Sequence, residues 1–94
     1  MIKIIIERRI MPGLEQEYEQ AAREAMRYAM GASGFISGES LHEHDNTQHR
    51  LLITQWRDLA SWKTWQHSQE REIVMQKLLP LLSEEERITA YLHP

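Results

Sequence analysis

The sequence of 94 residues has no cysteine, so neither disulfide bonds nor thiolate metal ligands can support the fold. It also lacks a basic excess, since 11 lysines and arginines stand against 14 acidic residues, for a formal net charge of −3. Nucleic-acid binding needs a basic face that displaces counterions from phosphates, so this composition argues against such a partner. No apolar run reaches the roughly 18–20 residues of a membrane span, and the first residues lack a signal-peptide pattern. We therefore expect a cytoplasmic protein with no membrane partner.

The length of the chain predicts a single domain over residues 1–94, because domains cluster near ~100–150 residues. A chain this short buries only somewhat more than ~60% of its unfolded surface on folding, so it is marginally stable alone. Since no cysteine can form cross-links, oligomerisation is the remaining common source of stability.

The first third of the chain predicts a strand followed by a helix. Segment 2–10 is short and rich in isoleucine, which favours a strand, and the pair Pro12–Gly13 ends it. Apolar residues at helical spacing then predict a helix that begins at Leu14 and closes at Gly31 or at Ser33–Gly34.

A hairpin follows the first helix, formed by strands at 35–44 and 49–56 and joined by residues 45–48. A two-residue loop at Asn46–Thr47 would set its register, because Asp and Asn favour turns. A slip of one residue would reverse the facing of every side chain. The cross-strand pairs that this register predicts are His44–His49, Glu43–Arg50, His42–Leu51 and Leu41–Leu52.

The last third predicts helical segments and a final strand. Asp58 is suited to cap a second helix, and Ser68 to start a further helical segment that stops near Leu79, before Pro80. Segment 87–92 predicts a strand. The side chains expected to face the core from the helical segments are Leu59, Trp62, Trp65 or Gln66, Ile73, Met75 and Leu78.

The resulting order, β-α-β-β-α-β, predicts a ferredoxin-like α+β fold: one four-stranded antiparallel sheet with helices on one face. Apolar side chains are expected on both faces of this sheet, so the face without helices needs a cover. A second copy of the chain is the least demanding candidate. In the hairpin, Phe35, Leu41, Leu52 and Trp56 are assigned to one face and Ile36, Leu51 and Ile53 to the other.

Three of the five histidines lie at the predicted hairpin end, where the register places His42, His44 and His49 on one face. Three imidazoles would suffice for a zinc ion. No further histidine or carboxylate is expected on that face to orient them, however, and water competes at a hairpin tip. A solvated hairpin end is the favoured interpretation, so no physiological metal is expected.

The three tryptophans, Trp56, Trp62 and Trp65, lie within ten residues. Core packing is the more frequent role of such residues. The functional alternative is the wall of a flat, mostly apolar pocket between helix and sheet. His67 and Arg71 follow Trp65, and either is placed to supply a polar contact at the pocket mouth.

Other charged residues carry weaker signals. The run Glu84–Glu86 predicts a solvated loop. Arg8 and Arg9 straddle the first strand, so one of them faces inward, where an ion-pair role is favoured over catalysis. No nucleophile with a base, glycine-rich phosphate loop or paired-carboxylate pattern is evident, so the sequence assigns no catalytic residue.

Three segments, "ERRIMPG" (7–13), "GFISGE" (34–39) and "ITQWRDLASWKTWQHSQER" (53–71), resemble the antibiotic biosynthesis monooxygenase (ABM) domain superfamily. The resemblance spans roughly residues 2–92, and its most specific part is Trp56, Trp65, Ser68 and Arg71. It implies a dimeric α/β barrel, in which the sheets of two subunits pack face to face.

For function, the resemblance implies cofactor-independent oxygenation of aromatic or quinol-like substrates, or haem degradation. Trp65 matches the cavity tryptophan of the haem-degrading group. Where that group has an iron-ligating histidine, ten residues later, this chain has Met75, and its first strand has no asparagine. No haem or other cofactor is therefore expected. The candidates for lining a substrate pocket are Trp65, Arg71, His67, Trp62 and Tyr28, with Tyr91 as a further polar candidate.

The leading hypothesis is thus a homodimeric, cofactor-independent monooxygenase of a small aromatic or quinol-like substrate. The alternative is a non-catalytic protein of the same fold that binds an aromatic or haem-like ligand. A third interpretation is a protein whose pocket is vestigial.

Overall fold

The computed structural model describes residues 1–94 as one antiparallel sheet with helices on one face. The strands have the spatial order β2-β3-β1-β4, which confirms the predicted ferredoxin-like arrangement. None of the helices is long and apolar enough to cross a membrane. The elements in chain order are β1 (Ile2–Arg9), α1 (Glu15–Met30), β2 (Phe35–Glu43), β3 (Asn46–Trp56), α2 (Leu59–Gln66), α3 (Gln69–Leu78) and β4 (Arg87–Leu92), with a 3₁₀ turn at Leu79–Leu81.

The boundary between α2 and α3 is made by one serine. The hydroxyl of Ser68 donates to the carbonyl of Trp65 at 2.7 Å, at the end of α2, and accepts from the N–H of Arg71 at 3.1 Å, at the start of α3. Asp58 caps α2 in the same way, accepting from the N–H of Ser61 at 2.8 Å. Side-chain oxygens thus satisfy helix N–H groups that have no partner in the preceding turn.

The core lies between the helices and one face of the sheet. On β1, Ile2, Ile4 and Ile6 are buried at alternate positions, as a strand with one covered face requires. Trp56 is fully buried, and its ring meets the edge of Phe35 at 5.3 Å and that of Trp62 at 5.7 Å between centroids.

Two predicted core residues lie in solvent instead. Leu59 is 42% exposed and Ile73 is 60% exposed. On α3 the buried side chains are Val74, Met75 and Leu78. This stripe turns Ile73, one position before it, toward water.

The hairpin register differs from the prediction by one residue. His42 lies opposite Arg50 and Leu41 opposite Leu51, and the connecting turn is at residues 44–45. Leu41 therefore shares a face with Leu51 rather than with Leu52, so the predicted facing of Leu41 is wrong. Phe35, Leu52 and Trp56 do lie on one face, as predicted.

The cause of the shift is an irregularity in β3 next to the turn. Asn46 lies opposite Glu43 and accepts from the N–H of Gln48 at 3.0 Å, so its side chain holds the irregular segment rather than a tight turn. Arg50 donates to the carbonyl of Thr47 at 2.6 Å and is buried beneath α1. Arg50 thus faces the helices together with Thr54 and Trp56, at alternate positions of β3.

The sheet face opposite the helices carries a central apolar strip, in keeping with the predicted two-sided apolarity. Ile5 lies opposite Ile53 at the centre of this strip, and both are half-buried. Leu51 extends the strip along β3, and the half-exposed side chains of Leu41 and Tyr91 flank it on the outer strands. We call this surface the open face.

Gly34 and Gly13 give a matched test of packing, because both have left-handed backbones, with φ of +87° and +86°. A Cβ at Gly34 would overlap the Ser61 side chain, whereas one at Gly13 would meet nothing within 4 Å. We expect Gly13→Ala to lower the free energy of unfolding by ~1–2 kcal/mol through backbone strain alone. Gly34→Ala should lower it by a further ~1–3 kcal/mol because steric overlap is added. Urea denaturation measures both, and equal losses would contradict the close contact.

Candidate functional site

A cavity of about 580 Å³ lies between α1 and the helix-covered face of the sheet, a volume typical of small-molecule sites. Helix α1 contributes three alanines to the lining, Ala22, Ala25 and Ala29, and their small size helps to leave the space open. The larger apolar side chains that line it are Ile6, Met26, Met30, Leu52, Trp56, Trp62, Trp65 and Met75.

One end of the cavity is charged, because two arginines that line it share a single carboxylate. Arg8 Nε donates to Glu86 Oε2 at 2.8 Å, and Arg71 Nη2 donates to Glu86 Oε1 at 2.7 Å. Arg8 Nη1 also donates to the Tyr18 hydroxyl at 3.1 Å. Arg8, Arg71 and Tyr18 line the cavity, whereas Glu86 lies behind them.

Local structure places each member of this group. Arg8 continues the inward alternation of β1 and is only 3% exposed. Glu86 directly precedes β4, whose first residue, Arg87, pairs with Glu7, so the chain delivers Glu86 beside Arg8. Arg71 lies in the first turn of α3, oriented by the Ser68 cap.

The charged forms of Glu86 and of the arginines stabilise one another. Burial acts to raise the pKa of Glu86, but attraction to Arg8 and Arg71 outweighs it and lowers that pKa below its ordinary value. Burial likewise opposes the charged form of Arg8, and its interactions with Tyr18 and Glu86 nevertheless raise its pKa. The carboxylate and the guanidinium therefore both stay charged at neutral pH.

A third guanidinium adjoins the same tyrosine. Arg50 of β3 is buried, pairs through Nη1 with Glu19 of α1, and lies 5.4 Å from the centroid of the Tyr18 ring. The Arg8 guanidinium lies 6.0 Å from the same centroid. Tyr18 is thus held by two cation–π contacts as well as by its hydrogen bond.

The family model described as antibiotic biosynthesis monooxygenase (ABM) matches residues 1–76 of the chain. The chain belongs to the ABM family. The predicted membership is therefore confirmed, and the search of curated proteins found no significant match.

Solved structures share the fold over nearly the whole ABM chain. SnoaB, a cofactor-independent oxygenase from Streptomyces nogalater, has a TM-score of 0.87 at 15% identity, covering 99% of this chain and 93% of its own. A conserved protein from Methanosarcina mazei Go1 has a TM-score of 0.88 at 19% identity, covering 96% and 89%. PA3566 from Pseudomonas aeruginosa has a TM-score of 0.84 at 17% identity, covering 99% and 93%. At these identities the likeness shows the fold alone.

Of the pocket candidates taken from the sequence, Trp62, Trp65 and Arg71 lie together in the cavity of the ABM chain. Tyr28 lies elsewhere, in an outer groove of about 900 Å³ between α1 and α2, which Trp65 also borders. His67 is exposed at the end of α2 and lines neither space.

Sequence reasoning missed the charged end of the cavity. Arg8 was expected to make an ion pair if it faced inward, and it does, but it was not placed in a site. Tyr18 was recognisable only as part of the apolar stripe of α1. The prediction that Glu84–Glu86 forms a solvated loop is wrong for Glu86, whose side chain is 10% exposed.

The three clustered histidines do not converge, so the predicted common face is wrong. His42 lies opposite Arg50, on the helix side of the sheet, and His44 lies in the exposed turn. No group of three or more His, Cys, Asp or Glu side chains has the arrangement of a metal site. The one-residue shift of register separates His42 from His49.

His49 lies on the open face, between two carboxylates. Its Nδ1 lies 2.8 Å from Glu43 Oε1, and its Nε2 lies 2.5 Å from Glu7 Oε2. The hydrogen bond to Glu43 and then that to Glu7 raise the pKa of His49, and they outweigh the opposing effects of burial and of the charge on Arg9. The hydrogen bond to His49 lowers the pKa of Glu7 in turn.

The shared carboxylate predicts a large and pH-dependent loss of stability in Glu86→Gln. Removing the carboxylate leaves Arg8 and Arg71 without a counter-charge, so the free energy of unfolding at pH 7 should fall by ~3–5 kcal/mol. Because the pKa of Glu86 is lowered on folding, its contribution is complete above the unfolded value near 4.5 and is lost as pH falls through the folded pKa. The difference between wild type and variant should therefore narrow below about pH 4.5.

The control for this experiment is Glu85→Gln, which makes the same change at the neighbouring exposed position. Urea denaturation at a series of pH values measures both variants. An effect of Glu86→Gln no larger than that of Glu85→Gln would contradict the shared ion pair.

Proposed function

We propose that this ABM protein is a cofactor-independent monooxygenase of a small aromatic or quinol-like substrate, acting as a homodimer in which each chain is one domain over residues 1–94. The observation that carries the proposal is an apolar cavity walled by tryptophans that ends in buried guanidinium groups. Flat aromatic walls suit a planar substrate, and the guanidinium groups suit an acidic oxygen on it.

In such a reaction the substrate itself supplies the electrons that reduce oxygen. Oxidation of a hydroquinone by one O₂ gives a hydroxyquinone and water: one oxygen atom enters the ring, and the other leaves with two hydrogens. Loss of a phenolic proton makes the ring a stronger reductant. The positive charges of Arg8 and Arg71 would favour this ionised form, because an opposite charge nearby stabilises an anion.

SnoaB supports the reaction class, since that structural neighbour is described as a cofactor-independent oxygenase. The contribution that we propose for this chain is positioning and electrostatics. Trp62 and Trp65 would hold the ring of the substrate, and the arginines would face its acidic oxygen.

A specific observation favours the alternative, binding without turnover: the cavity offers few groups that could act as a general base. No histidine lines it, and one of its two lining carboxylates, Glu19, is paired with Arg50. A haem-like ligand would find no imidazole there to bind its iron. Ligand sequestration needs only the apolar walls and the charged end, so it would use the same site.

The homodimer is supported by the open face. Ile5, Leu51 and Ile53 form an apolar strip there that a single chain leaves in contact with water. A second copy packed face to face would cover both strips at once, which is the self-complementary arrangement of a two-fold dimer. The polar group of His49, Glu7 and Glu43 would lie beside this contact.

Oxygen uptake with 1,4-naphthohydroquinone tests the proposed activity. We expect catalysed uptake by the wild type, with the hydroxyquinone and water as products. Ala25→Leu adds a side chain inside the cavity and should lower kcat/KM about tenfold or more by displacing the ring. Gln20→Leu, on the exposed side of α1, is the control and should retain activity.

The same assay separates the two functions. Quenching of tryptophan fluorescence by the ligand, blocked in Ala25→Leu and without oxygen uptake, would replace catalysis with binding. If hydroquinones of one to three fused rings gave neither quenching nor uptake, both functions would be wrong.

Sedimentation equilibrium at micromolar concentration tests the dimer. We expect twice the mass of one 11.2 kDa chain. Ile53→Lys places a charge at the centre of the open face, and should give single chains because that charge would be buried unpaired in the dimer. Gln20→Lys, which adds the same charge on the exposed side of α1, should stay dimeric. A wild type with the mass of one chain would refute the homodimer.

A further inference from the structure

The charges at the end of the cavity do not balance. Two guanidinium groups, of Arg8 and Arg71, face one carboxylate, that of Glu86. Of the other charged residues in the lining, Arg23, Arg27 and Glu39 are exposed to solvent, so the buried excess is that of Arg8 and Arg71 over Glu86. A buried excess charge is unfavourable unless a counter-charge or water solvates it. The cavity is therefore suited to a negatively charged ligand.

Hydrogen-bonding capacity is also unevenly used. Arg8 is nearly fully buried and spends two of its nitrogens, Nε on Glu86 and Nη1 on Tyr18. Arg71 uses its Nη2 alone, on Glu86, so its Nε and Nη1 make no hydrogen bond within the chain. Arg71 is also the more accessible of the two, at 13% exposure against 3%. Both arginines line the cavity, but Arg71 has two nitrogens without a partner in the chain, whereas Arg8 has one, Nη2.

The surroundings of Arg71 suit an aromatic acid. Its guanidinium lies 5.9 Å from the centroid of the Trp62 ring, so the apolar wall and the free donors are neighbours. A planar ring held against Trp62 and Trp65 would bring an oxygen on its edge to these donors. An ionised oxygen accepts a charge-assisted hydrogen bond there, and a carboxylate can accept two from an arginine.

We propose that Arg71 is the specificity-determining residue of the cavity and selects aromatic ligands that carry an ionised oxygen. Arg8 supplies a fixed positive charge behind it. This inference rests on the proposed use of the cavity as the substrate site, but it does not require oxygenation. The ionised oxygen belongs either to a carboxylate or to a phenol, and the same donors would bind both.

Ligand pairs that differ in charge test this selection by quenching of tryptophan fluorescence. The wild type should bind 1-naphthoate at pH 7.5 about tenfold or more tightly than its neutral isostere 1-naphthamide, because only the acid offers an ionised oxygen. In a second arm, 1-naphthol is titrated across its own ionisation. Tighter binding of naphthoate alone assigns the carboxylate, and tighter binding of both ions assigns any ionised oxygen. Tighter binding of the naphtholate ion alone assigns the phenol. Equal binding of the charged and neutral forms in both arms would overturn the proposal, as would no binding of either anion.

Variants separate a direct contact from general electrostatics. Arg71→Gln should abolish the preference for naphthoate, while the remaining Arg8–Glu86 pair is balanced and keeps the fold. Arg71→Lys should retain part of the preference that Arg71→Gln loses. Lysine keeps the positive charge but lacks the paired N–H donors of the planar guanidinium. Arg57→Gln makes the same charge change outside the cavity and should leave the preference intact. A preference unchanged in Arg71→Gln would overturn the proposal.

The outcome is separable from that of the oxygenase assay. A preference for naphthoate that depends on Arg71, together with no oxygen uptake from any hydroquinone, would refute the monooxygenase and leave this inference standing. Oxygen uptake from a hydroquinone, with no preference for charged ligands, would support the monooxygenase and refute this inference.

Discussion

The carboxylate of Glu86 joins three parts of the chain that are distant in sequence. It accepts from Arg8 on β1 and from Arg71 on α3, and it directly precedes β4. The first strand, the last helix and the last strand therefore meet at one buried group. Breaking such a group leaves an uncompensated charge in the interior, so its members constrain one another more than an apolar contact would. Because Glu86 holds both arginines, it also sets the end of the cavity at which their positive charges lie.

The rest of the cavity depends on how two hydrophobic clusters pack. One contains the three tryptophans with the isoleucines of β1, and the other surrounds Tyr18 and Leu78. The cavity is lined by members of both clusters, and the alanines of α1 leave the space between them unfilled. Larger side chains at these positions would let α1 pack without a void. The site thus has two origins: the small alanine side chains of α1 leave a space, and the guanidinium groups of Arg8 and Arg71 give one end of that space a positive charge.

The sequence predicted the elements of this fold well because each has a local signal. Isoleucines at alternate positions, the caps Asp58 and Ser68, and the break at Pro80 all act within a few residues. The hairpin register failed because β2 and β3 pair irregularly, with shifts between Phe35 and Ser37 and between His42 and Glu43, and the alternation of apolar residues does not signal such shifts. Glu86 failed because its partner Arg8 lies 78 positions away and leaves no pattern in the run Glu84–Glu86. Trp62 and Trp65 were predictable because one turn of α2 carries both, and Arg71 because it follows them closely, in the first turn of α3 after the Ser68 cap.

The alternation of β1 connects the proposed binding site to the proposed dimer. Arg8 points to the helices and carries the charge of the cavity, while its neighbour Glu7 points to the open face and contacts His49. On β3, Arg50 likewise points to the helices, and its neighbour His49 points to the open face. One sheet therefore serves two surfaces with different residues, which lets either surface change in evolution without altering the other's side chains. The backbone of the sheet is common to both, so covering the open face would hold in place the strands that form the floor of the cavity.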